Sequence, residues 1–198
     1  MPEQTSTNTT NNTAIRLPKE LPLETSLWRF SLSIWKHPDA QSSLLFLQDE
    51  YGLKVNRLLF CCWLGFERRE LIVDKLESDP VLAQWSNQTV APLRSIRKQL
   101  KQVAPNHPQL KATVQNAELQ AEQIEQALLF QKSEILSRPT TQKNTLQTLS
   151  YNLLSYTEHA LQKADNESQV ALKPHLITLV HAAIPNHDRV HIEAYFAK

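Results

Sequence analysis

Leu53–Phe66 reads LKVNRLLFCCWLGF, and from Leu58 to Leu64 every residue is apolar. A segment with no polar face has no side to offer to water, so it must be buried all round. It is too short to cross a bilayer, which takes about 20 apolar residues. The stretch therefore predicts a helix enclosed by the rest of the chain. Asn56, beside the apolar run, is expected to serve as a structural cap or to satisfy a backbone group near the start of this helix.

Working upstream, Gly52 stands where a terminating glycine ends a helix marked by Ala40, Leu44, Leu47 and Tyr51, with Asp39 as its cap. Pro38 stops an earlier helix, LWRFSLSIW, which Thr25 or Ser26 can cap. Leu27, Phe30 and Ile34 share one of its faces, with Trp28 and Trp35 alongside. Residues 1–24 are rich in Thr, Asn and Pro and poor in apolar side chains, so burial there cannot offset the entropy of ordering, and a disordered arm is expected.

Downstream, GFERRELIVDKLES reads as a helix with Leu71, Ile72 and Leu76 inward and Glu67, Glu70, Asp74 and Glu77 outward. Asp79-Pro80 is a cap followed by the position proline favours. It opens a long helix marked by Leu82, Trp85, Thr89, Leu93, Ile96, Leu100 and Val103, which Pro92 should kink or divide near Val90. After the turn at Pro105–Pro108, the positions Leu110, Val114, Ala117, Ala121, Ile124, Leu128 and Ile135 form a seam about four heptads long. Leu146, Leu149, Leu153, Tyr156 and Ala160 continue the pattern beyond Arg138-Pro139, and two long helices so linked are expected to pack antiparallel. Pro174 is read as opening a last full helix and Pro185 as closing it. The tail 186–198 is read as a short helix, although Val190, Ile192, Ala194 and Phe196 alternate with polar residues as in a strand. The whole is an all-α chain: a multi-helix bundle around a buried central helix, with a long antiparallel helical hairpin. Its expected divisions are a disordered arm 1–24, a helical core 25–138 and a helical extension 139–198 packed on the core.

Composition narrows the chemistry. The 198 residues carry a formal net charge of +1, so no global field draws in nucleic acid or an anionic membrane. Gly52 and Gly65 are the only glycines, which excludes the phosphate-cradling loops and dinucleotide fingerprints that need several together. Cys61 and Cys62 are adjacent inside the apolar run, a placement that suits buried thiols and offers neither a disulfide nor a metal spacing. MPEQTSTNTTNNT lacks the charged and apolar regions of a signal peptide, and the expected location is the cytoplasm, without membrane association.

Candidate sites are few. Arg94, Arg97, Lys98 and Lys101 fall on one helical face and form a possible anion- or partner-binding stripe, with RNA among the partners to consider. No aromatic residue is interleaved with them to stack on bases. His181, His187 and His191 with Asp188 have a metal-like spacing, but the set does not compel a metal, and the expectation is no metal and no cofactor. The acidic face lacks the ExxH pairs of di-iron helices, and no serine has a GxSxG setting, so no catalytic residue is assigned.

LWRFSLSIW, then LQDEYGLKVNRLLFCCWLG, VAPLRSIRKQLK and AELQAEQIEQALL, give a combination that resembles a proteobacterial family of small helical proteins of uncharacterised function, over about Ser26 to Leu136. The family pattern has an acidic residue where this chain has Lys54 and a leucine where it has Arg57, so an acidic cap of the core helix would here shift to Asn56 or be lost. The resemblance implies a bacterial, soluble, helical protein and supplies no activity or ligand. With no catalytic motif and long amphipathic helices, the leading expectation is a non-catalytic protein-binding adaptor or a homo-oligomer. An RNA- or ribosome-associated protein using the basic stripe is the alternative, and a helical enzyme without a recognisable motif is the third class.

Overall fold

A side-chain cap starts the first helix: Thr25 Oγ1 accepts from the Trp28 N–H at 3.1 Å, and α1 runs Ser26–Trp35. The computed structural model describes residues 16–161 and 166–196, with side chains in the second span from Val170 onward. Part of the expected N-terminal arm, residues 1–15, lies outside the described residues. Residues 16–24 are without helix or strand, and Leu17 and Leu21 rest against the core. Pro38 sits in the first turn of α2 (Pro38–Tyr51), where a missing N–H breaks no helical bond. Gly52 ends α2 at φ +67°, a left-handed conformation that glycine adopts without penalty, and its N–H bonds back to Gln48.

The central helix is α3 (Val55–Phe66), buried from Val55 through Gly65. Each large apolar side chain so enclosed contributes about 1.5–3 kcal/mol before the entropy of ordering is subtracted. Burial extends further than the apolar run, because Asn56 and Arg57 are enclosed as well. Arg57 is an odd occupant, with Nε and Nη1 lacking a partner among the described residues. No side chain among the described residues caps α3; Lys54 holds the cap position, and its N–H donates to the Tyr156 hydroxyl at 3.2 Å.

The expected helix over GFERRELIVDKLES is interrupted at its start. Arg68 takes φ +56°, and Arg69–Leu71 forms β1, pairing antiparallel with β2 (Ser137–Pro139). Asn152 explains the extended backbone. Its Oδ1 accepts from the Leu71 N–H at 2.9 Å, while its Nδ2 donates to the carbonyls of Arg69 at 2.9 Å and Cys61 at 3.3 Å. Helix resumes as α4 (Val73–Ser78), then α5 (Pro80–Trp85), capped by Asp79 Oδ1 from the Leu82 N–H at 2.9 Å. A π-helical turn, Ser86–Val90, joins α5 to α6 (Ala91–Val103), with the Ala91 N–H bonded to Ser86 O, five residues back. Pro92, which has no N–H to give, lies one residue beyond and accounts for the break in the regular ladder.

α7 (Pro108–Gln131) returns antiparallel along α6, as the cross-links Arg97 to Glu118 and Arg94 to Glu122 show. The long hairpin is therefore α6 with α7. After α8 (Ser133–Leu136), α9 (Thr145–Leu161) packs along α3 rather than returning on α7. Gly65 makes that approach possible, since a Cβ there would lie 2.6 Å from Leu149 Cα. α10 (Asn166–Ala183) packs on α2, and Pro174, expected to open it, lies within it. The tail is helical, as α11 (Arg189–Phe196), with Ile192 and Phe196 buried. No helix among the described residues is long and apolar enough to cross a membrane.

Candidate functional site

Over the first turns of α3 the bundle stays open. α1 and α2 form one wall and α6 and α7 the other, enclosing a chamber of about 370 Å³. Trp28, Leu32 and Trp35 from α1, Leu45 from α2, Leu59 from α3 and Leu119 from α7 supply its apolar lining. A second chamber, about 260 Å³, is lined by Lys54, Glu125 and the π-helical residues Ser86, Asn87 and Val90. Gln48, Val55, Asn56 and Arg94 line both, so the chambers form one cleft with a waist at Asn56 and Arg94. π-Turns are frequent at functional sites because they displace side chains from regular register.

The basic stripe lies along this cleft, and carboxylates engage three of its four cations. Arg94 Nε donates to Glu118 Oε1 at 3.0 Å, and its Nη2 donates to Glu122. Arg97 grips Glu118 through both Nε and Nη2. Lys98 Nζ reaches Asp49 at 2.7 Å, leaving Lys101 as the member without an ion pair among the described residues. Glu118, Glu122 and Glu125 recur at i, i+4 and i+7 on α7, which sets them opposite the arginines of the antiparallel helix. Meanwhile Ile96 and Val103, expected inward, face solvent.

Charge in the α6–α7 network is uneven. The hydrogen bond to Glu118 raises the Arg97 pKa and secures its charge. Burial pushes the Glu122 carboxyl up despite the Arg94 guanidinium beside it, and the neighbouring Glu118 and Glu125 add to the rise.

Asn56 does not cap α3. Its Nδ2 donates to Glu125 Oε2 at 2.6 Å and to the Glu122 carbonyl at 3.4 Å, and its Oδ1 accepts from Gln126 Nε2 at 2.9 Å. It thus ties the central helix to α7 at the waist of the cleft. Three buried polar atoms of the cleft, Ser31 Oγ on α1 and Glu125 Oε1 and Gln126 Oε1 beside Asn56, have no partner among the described residues. Such atoms are uncommon in native structures, where the great majority of buried polar groups are bonded. Sequence reasoning passed over Ser31, Glu118, Glu122, Glu125 and Gln126. The available signal was the helical spacing of the acids and a glutamine at the border of the apolar run Ala127–Phe130.

The other candidates do not converge. Among the described residues no group of three or more His, Cys, Asp or Glu could hold a metal, the His181, His187, His191 and Asp188 set included. Cys61 and Cys62 are free and fully buried, and burial pushes the Cys62 thiol up to about 12. Of the acids expected to face outward, Glu70 is buried, held by Arg138 and by Lys143 Nζ at 2.7 Å.

The fold and the cleft together define a predominantly helical domain with an open cleft, one wall of which is an ion-paired hairpin. The chain belongs to the family described as a protein of unknown function (DUF2390), whose model matches residues 26–129. That span runs from α1 nearly to the end of α7 and contains the side chains that line both chambers. No curated protein and no solved structure matches the chain.

Proposed function

We propose that the protein is a non-catalytic binding module whose cleft receives an apolar side chain of a protein partner. One observation carries this reading: Leu32, Trp35, Leu45 and Leu119, exposed at 41, 36, 40 and 48%, gather around the larger chamber. Single exposed apolar residues are ordinary, but a cluster at the mouth of a concavity marks a binding surface. An apolar anchor entering such a pocket is the usual centre of interface affinity. A second copy of the chain is one form such a partner can take.

RNA association through Arg94, Arg97, Lys98 and Lys101 is the alternative. It draws less support, because Arg94 and Arg97 share Glu118 and Lys98 is paired with Asp49. Phosphates would have to compete with those carboxylates.

Selection from a displayed peptide library on the full-length protein tests the reading. Enriched peptides should share an apolar residue at a fixed position and lose at least tenfold in affinity on Leu119→Glu or Leu32→Glu. Both positions are exposed enough for the variants to fold. Failure to enrich, or peptides indifferent to both variants, would count against it. Salt-sensitive RNA binding abolished by neutralising the four cations would favour the alternative.

A further inference from the structure

We infer that the cleft is selective for an occupant carrying a primary ammonium beside its apolar anchor, as a lysine next to a large apolar residue would present. The inference rests on the reading of the cleft as a binding site and specifies the chemistry of what it takes.

The polar side of the cleft has acceptors to spare. Glu125 is 2% exposed, and a single side-chain donor, Asn56 Nδ2, reaches its Oε2. Among the described residues its Oε1 has no partner, and no Lys, Arg or His lies within ion-pairing distance of it. The cations that share its chamber are directed elsewhere: Arg94 is engaged by Glu118 and Glu122, Lys98 by Asp49, and Lys54 Nζ reaches Asn87 Oδ1 at 3.5 Å. A carboxylate enclosed without a counter-charge is costly, and a ligand cation would supply that charge. On the other side of Asn56, Gln126 Oε1 is likewise buried and unbonded, and an amide oxygen can only accept. Ser31 Oγ, across the larger chamber on α1, is the third unbonded group.

An occupant that answers this arrangement brings donors. An ammonium has three and no acceptor, and it carries the charge that Glu125 lacks. An anionic head would meet Glu118, Glu122 and Glu125 on the same wall, and both arginines there already hold carboxylates. Trp28 and Trp35 in the larger chamber suit the apolar body of such an occupant, and tryptophan also tolerates a nearby cation well.

Three matched probes test this on the full-length protein: phenethylamine, 2-phenylethanol and 3-phenylpropionate, with binding followed by calorimetry and by the indole N–H resonances. The amine should bind at least tenfold more tightly than the alcohol, and the carboxylate more weakly than either. Glu125→Gln should bring the amine down to the affinity of the alcohol and leave the alcohol unchanged. If that variant loses its fold, Ser31→Ala and Gln126→Leu provide the check, each weakening the amine severalfold more than the alcohol. Equal binding of amine and alcohol would overturn the ammonium preference while leaving the cleft a binding site. Tightest binding of the carboxylate would overturn it in favour of an anion held by Arg94 and Arg97. If none of the probes binds and no selected peptide responds to Leu119→Glu, both the inference and the binding reading fall.

Discussion

α3 has two unlike sides. Toward α9 it is closed: Gly65 lets the Leu149 backbone come within 2.6 Å of where a Cβ would stand, and Leu149, Leu153 and Cys61 are fully buried. Toward α7 it is open: Asn56 meets Glu125 and Gln126 across a cleft, and the wall beyond is braced by arginine–carboxylate pairs. Dispersion and burial reward close approach, so a dry seam shuts to native density. Ion pairs fix a distance and an orientation without requiring the space beside them to be filled. The closed side makes the helix a core, and the open side leaves it a surface that another molecule can use.

The sharpest way to break this contrast is to push the dry seam apart. In Gly65→Val the new side chain meets backbone atoms of α9, which cannot swing aside as a flexible side chain would. Overpacking costs about 1–3 kcal/mol, and a clash with backbone puts this variant at the upper end. Urea unfolding should show the midpoint falling sharply, or the variant should fail to accumulate in folded form. A midpoint within error of wild type would mean that α3 and α9 are not in close contact at Gly65 and Leu149.

Glu118→Gln addresses the open side. Glu118 is buried and serves both Arg94 and Arg97, so removing its charge strips two guanidinium groups of their shared partner. Breaking a fully buried pair costs about 3–5 kcal/mol. Arg94 and Arg97 keep side-chain exposures of 20% and 28%, so water can take over part of the work and the expected loss is about 2 kcal/mol. Wild-type stability in Glu118→Gln would show that the hairpin holds by packing alone.

The two sides were unequally legible in the sequence. The closed one was visible, since seven successive apolar residues, a terminating Gly52 and the period of Leu146, Leu149, Leu153 and Tyr156 all report burial, which composition encodes directly. Its partner was not, because hydrophobic period says that a face is covered and is silent on what covers it; hence α9 lies on α3 rather than on α7. The open side was less legible for a different reason. Arg94 and Arg97 read as a basic stripe, and their partners Glu118 and Glu122, more than twenty residues away, are brought opposite them only by the turn at Pro105–Pro108. β1 was hidden in the same way, because Asn152, the residue that holds Leu71 extended, is 81 positions distant.

Even the closed side carries charge at its edge, and there the effect should be smallest and should depend on pH. Glu70 of β1 is held by Lys143, whose hydrogen bond does most to lower the carboxyl pKa; burial opposes that shift, and Arg138 reinforces it. Because the folded value lies below the ordinary one of 4.5, the ionised form is favoured by folding. The stabilisation is therefore complete above that value and is lost as pH falls through the folded pKa. Arg138 and Lys143 have side chains exposed at 66% and 32%, which limits the contribution to about 1 kcal/mol after screening. Glu70→Gln should be less stable than wild type by that amount at pH 7, and the gap should close as both proteins are acidified below pH 4. A gap that stays constant from pH 7 to pH 3 would make Glu70 a packing residue, and the clip between β1 and β2 would then belong to the dry seam after all.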